Sequence, residues 1–308
     1  MSVKAFAPAS IGNIGVGFDI MGLALEQPGD EVVVHLSTQP GIRITKMTGD
    51  QGKLPYETEK NTAGMAVLRL TEYLGATNIG IDMEVHKKLP LGSGMGSSAA
   101  SAVAAVLAVN ELLKAGLNKK QLLPFACAGE AVASGSLHAD NVAPSLLGGI
   151  ILIRDNHTYD IHRLHTPSGL YVAMVHPNIR ILTSEARAIL KDAVPMPQFV
   201  QQTANVASFV VGLQNNDFAL IGRCLRDVVI EPQRAQLIPG FYDVQAAAMS
   251  AGALGCSISG AGPAIFALCE GSKTAEMVAI EMQKVFIAQK IESNIYLSPV
   301  NETGAVIC

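Results

Sequence analysis

The chain has 308 residues, 49% hydrophobic and 16% charged, with a net charge of −4. That length exceeds what a single core usually covers, and the apolar content excludes a disordered chain. The longest Lys/Arg runs are Lys87-Lys88 and Lys119-Lys120, so there is no basic tract for nucleic acid or an acidic membrane surface.

The cysteines, Cys127, Cys224, Cys256, Cys269 and Cys308, are odd in number and form no CxxC. A disulfide framework or a zinc site is therefore not expected, and a reducing, cytoplasmic setting is. The opening MSVKAFAPASIG lacks a signal-peptide core. Residues 89–110 carry no charge, yet their apolar part, Ala99 to Val109, is mostly alanine and too short to span a bilayer.

In chain order, Glu31 to Leu36 and Ile42 to Met47 read as strands. Asn61 to Leu74 reads as a helix with Ala63, Val67, Leu70 and Leu74 on one face. Ile81, Met83 and Val85 alternate with Asp82, Glu84 and His86, the period of a strand. A glycine loop follows. Ser97 or Ser98 is expected to cap the next helix, which runs to about Ala115 and stops at Gly116. That helix is apolar nearly all round and so should be buried. Gln121 to Ala133 is a further helix and Gly149 to Ile153 a short strand. Polar residues from Arg154 to Gly169 mark a boundary, giving expected domains of residues 1–160 and 161–308.

The second half predicts a strand at Leu170 to His176 and helices at Ser184 to Lys191, Phe199 to Leu213, Asp217 to Leu225 and Val244 to Ala253. Strands at Cys256 to Ser259 and Ala264 to Cys269 flank a second glycine turn. A helix at Thr274 to Ala288 and a strand at Ser293 to Pro299 follow. Strands and helices mix without a regular βα rhythm, so an α+β fold in two-layer domains is expected.

The glycine loop reads Pro90-Leu91-Gly92-Ser93-Gly94-Met95-Gly96-Ser97-Ser98-Ala99-Ala100. Alternating glycines before a helix can aim several backbone N–H groups at one anion, and the helix N-terminus adds its positive dipole end. No lysine follows, so this is not a Walker loop; the spacing is GxGxG, not the dinucleotide GxGxxG. A nucleophile elbow is absent too, because Gly255-Cys256-Ser257-Ile258-Ser259 fails at its last position.

The whole pattern resembles the phosphate-binding loop of the GHMP kinases. Residues 7–19, from Ala7 through Asn13 to Asp19, look like that family's N-terminal substrate motif, and residues 255–263 look like its third motif, a glycine turn packed on the phosphate loop. The resemblance implies a ribosomal protein S5 domain 2-like N-terminal half and a ferredoxin-like C-terminal half. It also implies ATP with Mg²⁺, held by residues 90–100, with Asn61 and Thr62 near adenine or ribose and Thr183 near the phosphates.

Within the family, residues 13–19, 138–144 and 231–240 resemble the branch acting on L-homoserine, a zwitterion with a primary hydroxyl. Arg187 and Arg234 would grip its carboxylate with guanidinium forks. Asp19 would meet the ammonium, Asn13 and His138 would contact the amino acid, and Asn141 would hold the hydroxyl. On residue type alone other roles stay open: Asp19 could cap a helix starting at Ile20, Arg187 could be a surface helix residue, and His138 a partly buried structural histidine. Ser98 and Glu130 are the expected metal contacts, although Glu130 could lie on a solvated helix face.

Lys87 reads as a solvated surface lysine, less readily as a phosphate contact. The expected reaction is direct in-line transfer of the ATP γ-phosphoryl group, with Asn141, Ser98 and Glu130 at its centre. A homodimer fits the high apolar content. The alternatives are a kinase of the mevalonate or shikimate type and a non-catalytic ligand sensor.

Overall fold

The computed structural model describes residues 2–135 and 138–308. The first half contains β1 (Ser2–Gly12), β2 (Met21–Ser37), β3 (Gly41–Thr48), α1 (Thr62–Tyr73), β4 (Gly80–His86), α2 (Ser97–Leu112), α3 (Lys119–Ser134), α4 (Val142–Leu147), β5 (Ile150–Asp155) and β6 (Asp160–Leu164). The 17-residue β2 organises the sheet. β1 lies antiparallel along it, Met21–Leu23 also pair with β5, and Glu31–Ser37 pair with β4. β3 is parallel to β4, which requires a crossover, and α1 supplies it.

The β4 alternation is as expected, with Ile81, Met83 and Val85 buried and the residues between them partly exposed. α2 is buried on nearly all sides, and its alanines let it pack on β1, β2, α1 and α3 together. Two strands of the first half escape the sequence pattern. β1 is rich in Ala, Ser and Pro and gains its conformation from pairing with β2. The supposed polar connection from Arg154 to Gly169 contains β6, a half-exposed edge strand that folds back on β5.

The second half adds β7 (Leu170–Pro177), α5 (Thr183–Ala188), α6 (Met196–Asn215), α7 (Phe218–Cys224), α8 (Glu231–Arg234), α9 (Phe241–Ser250), β8 (Gly255–Ile258), β9 (Ile265–Glu270), α10 (Ser272–Ala288), β10 (Ser293–Pro299) and β11 (Val306–Ile307). Its antiparallel sheet has the order β10-β7-β9-β8. Together with α9 and α10 this is a βαββαβ ferredoxin-like plait, with α5 to α8 inserted after β7.

The plait's strands feed two cores by simple alternation. Leu170, Val172, Met174, Phe266 and Leu268 join the large core shared with the first half. Ala173, Val175, Ile265, Ala267 and Cys269 face α9 and α10 in a second core. β11 returns to pair with β1, so the end of the chain is stitched into the first sheet. The halves are thereby fixed against each other, and the loops after β1, β4, α3, β7 and β8 meet between them.

Candidate active site

A cavity of about 470 Å³ opens where those loops meet. Gly92, Gly94 and Gly96 all have left-handed backbone, with φ of 63°, 78° and 67°. Gly94 also permits a close approach: a Cβ there would lie 2.4 Å from the Ser259 carbonyl oxygen. The loop is held by Ser259 Oγ donating to Gly94 O (2.7 Å), Ala264 N to Ser93 O (3.0 Å) and Ser10 N to Met95 O (3.1 Å). The segment 255–263 thus packs on the loop, as its resemblance to the third motif implied.

The helix cap differs from expectation. Gly96 is the N-cap of α2, and no side chain caps it. Ser97 Oγ donates instead to Leu89 O, and Ser98 Oγ donates to Glu130 Oε1 at 2.9 Å. The first turn of α2 keeps backbone donors on residues that line the cavity, the arrangement a phosphate group needs.

Glu130 faces this cavity, not a solvated outer surface. Its helix α3 approaches α1 so closely that a Cβ on Gly129 would lie 2.3 Å from the Thr62 carbonyl oxygen. Burial raises the Glu130 carboxyl to about 7, and the Ser98 hydroxyl opposes that shift. Among the described residues no group of three or more His, Cys, Asp or Glu is placed to hold a metal. A carboxylate and a hydroxyl instead suit Mg²⁺, which favours oxygen and takes much of its shell from phosphates and water.

Three other expected nucleotide contacts fare unevenly. Asn61, Thr62 and Thr183 all line the cavity. The Asn61 side chain, however, is committed to capping α1: it accepts from Ala63 N and Gly64 N and donates to Pro55 O. Lys87 is neither solvated nor a free phosphate ligand. It is only 7% exposed and ion-paired with Asp30. Arg180, which sequence reasoning missed, lies against Gly92 and lines the cavity.

At the other end, Asn13 folds the loop after β1. Its Nδ2 donates to Gly260 O and its Oδ1 accepts from Asp19 N, both at 3.0 Å. Asp19 has left-handed backbone (φ 61°) and caps no helix. Arg187 donates to both Asp19 oxygens, at 3.0 and 2.8 Å. Asp19 and Arg187, expected on opposite ends of a ligand, are therefore partners here. His138 Nδ1 lies 3.7 Å from Asp19 Oδ2, and burial lowers the imidazole's proton affinity.

Arg234 is 3% exposed and donates to the carbonyls of Ala186 (3.1 Å) and Gly260 (2.9 Å). Burial, and then the neighbouring Arg187, pulls it down to about 10, so the cluster favours an incoming anion. Both guanidinium groups sit over the Phe18 ring, 5.3 and 5.0 Å from its centroid, a contact the sequence did not reveal.

Asn141 joins the two ends. Its Oδ1 accepts from Ser10 Oγ at 3.0 Å and lies 3.1 Å from where a Gly96 Cβ would be. Its Nδ2 and Asp140 Oδ2 converge over Gly12, 2.7 and 2.5 Å from that residue's would-be Cβ. Burial, followed by the Asp19 charge, raises the Asp140 carboxyl to about 7. The folded protein thus holds a proton on Asp140 that the unfolded chain releases near 3.8. Stability contributed by this group is present below about 4 and is lost as pH rises to about 7. Asp140→Asn is expected to flatten the fall in urea midpoint between pH 5 and pH 8; an unchanged fall would mean the carboxyl is not held protonated.

Residues 61–149 match the GHMP kinases N terminal domain family, and residues 209–288 match the GHMP kinases C terminal family. The chain is 47% identical to a homoserine kinase of Chlorobium phaeobacteroides (strain BS1), over 99% of each protein. It is 43% identical to a homoserine kinase of Xylella fastidiosa (strain 9a5c), over 98% of this chain and 92% of that one. The crystal structure of homoserine kinase from Cytophaga hutchinsonii aligns with a TM-score of 0.97 at 49% identity, covering 100% of this chain and 97% of that one. Mevalonate kinase of L. major, in complex with R-mevalonate, shares the fold with a TM-score of 0.75 at 17% identity, over 96% of each chain.

Proposed function

The chain belongs to the homoserine kinases of the GHMP kinase family, and from that premise we propose that it phosphorylates the side-chain hydroxyl of L-homoserine with ATP. The product is O-phospho-L-homoserine, placing the enzyme in threonine biosynthesis. The observation that carries the proposal is the position of Asn141, beside the opening of α2 at Gly96 and in the same cavity that Asp19, Arg187 and Arg234 line.

That cluster suits a zwitterion. A ligand with one carboxylate and one ammonium offers an anion to Arg187 and Arg234 and a cation to Asp19. Mevalonate and shikimate carry the carboxylate alone and offer no cation to Asp19. His138 borders the amino-acid end, and the Asn141 carboxamide orients the hydroxyl toward the phosphates. Residues 92–98 hold the phosphates through backbone donors and the dipole of α2.

Ser98 and Glu130 would hold Mg²⁺, which when bound neutralises phosphate charge. The transfer is direct and in line, and the chain's own contribution is alignment and fixed donors, which suffices for a loose transition state. ATP as co-substrate and the free cysteines support a cytoplasmic setting. No helix among the described residues is long and apolar enough to cross a membrane.

The test is ADP release measured with homoserine, mevalonate and shikimate in parallel. Turnover with homoserine alone is expected. Preferred turnover with either of the others would overturn the acceptor, and nucleotide binding without turnover on any would favour the sensor reading.

A further inference from the structure

Resting on the reading of the site as a nucleotide-dependent kinase, we infer that Lys87 is a positioning residue, which with Asp30 clamps the two ends of the phosphate loop into register. Lys87 ends the run from β4 into the loop, and Asp30 lies in β2 beneath it. The Lys87 ammonium pairs with Asp30 Oδ2 and donates to Ser97 O at 2.5 Å and Ser101 Oγ at 2.7 Å. Ser101 Oγ in turn donates to Asp30 Oδ2 at 2.8 Å. The other oxygen of Asp30 accepts from Lys88 N (2.9 Å) and Leu89 N (3.1 Å).

One buried pair therefore holds the start of the loop through Asp30 and the first turn of α2 through Lys87. Ser97 Oγ, donating to Leu89 O, closes the same ring. The loop residues that line the cavity, Gly92 to Gly94 and Gly96 to Ser98, are strung between these two anchors.

Stability is a weak reason for such a pair. A cation under a helix N-terminus faces the positive end of the dipole, and Asp30 is needed to offset it. Buried ion pairs can often be replaced by apolar side chains at no cost in stability. What an apolar pair does not supply is the set of directed bonds to Ser97 O and to the Lys88 and Leu89 amides. A misplacement of about 1 Å in such donors can cost about a hundredfold in rate.

The test compares the full-length wild type, Lys87→Met and the double variant Asp30→Asn/Lys87→Met. Three readouts are taken: thermal midpoint, ADP affinity by calorimetry, and the separate KM values for ATP and homoserine. Lys87→Met alone leaves Asp30 as an uncompensated buried charge and is expected to lower the midpoint. The double variant removes that charge, while the new amide oxygen can still accept from Lys88 N and Leu89 N, so the midpoint recovers.

Its nucleotide defect is expected to persist. The kcat/KM for ATP falls about a hundredfold and ADP binding weakens, while the KM for homoserine stays within about twofold. A double variant with wild-type ADP affinity and turnover would overturn the inference and reduce Lys87 to charge balance for Asp30. If Lys87→Met does not fold, the double variant decides alone. A wild type that binds ADP but phosphorylates no acceptor would overturn the kinase reading, and the ADP comparison would still decide Lys87.

Discussion

Glu130→Gln is expected to lower turnover by about three orders of magnitude while leaving the KM for homoserine within about twofold. The substitution is close to isosteric, and the amide oxygen can still accept from Ser98 Oγ, which lies 2.9 Å from the present carboxylate. What disappears is the negative charge that makes this pair of oxygens a site for a divalent cation. The variant chain itself should be more stable at neutral and alkaline pH. The native carboxyl, raised to about 7 by burial, is forced to ionise in a poorly solvated place, and the amide is not. ADP release measured across a MgCl₂ titration checks the assignment. An unchanged kcat with an unchanged Mg²⁺ midpoint would remove Glu130 from the metal site.

Arg234→Leu should have the largest effect at the acceptor end. Removing one partner of a buried charged pair typically costs about 3–5 kcal/mol, equivalent to a factor of about a thousand in kcat/KM for homoserine. The loss should lie mainly in KM, with the KM for ATP little changed. Arg234 also donates to the carbonyls of Ala186 and Gly260, so some stability is lost as well. Arg234→Lys separates the two effects, because it keeps the charge without the planar fork, and should fall between wild type and Leu. A folded Arg234→Leu protein with wild-type KM for homoserine would exclude Arg234 from carboxylate recognition.

Much of this molecule can be read from local patterns. The alternation through Ile81, Met83 and Val85 and the all-apolar face of α2 each follow from side-chain period, and both lie where that period puts them. β1 and β6 have weak intrinsic strand signals and exist because a neighbour supplies the hydrogen bonds. The expected serine caps of α2 fail because both hydroxyls find better partners outside the helix. Asn61 lines the nucleotide cavity, yet its side chain is spent on the helix it begins.

By itself the sequence determined the chemistry that is present. It gave a glycine loop ahead of a buried helix, a carboxylate at Glu130 where an apolar helix would not otherwise carry one, and cationic and anionic groups suited to a zwitterion. Backbone permissiveness and residue type are local properties, so a linear reading reaches them. Only the tertiary structure decided which of these groups meet. Asp19 is 168 positions from Arg187 and forms a bidentate pair with it. Asp140 joins Asn141 over Gly12, and Lys87 turns inward to Asp30 and away from solvent. Partner choice among charged groups depends on burial and distance, and both are set by how the two sheets close on each other.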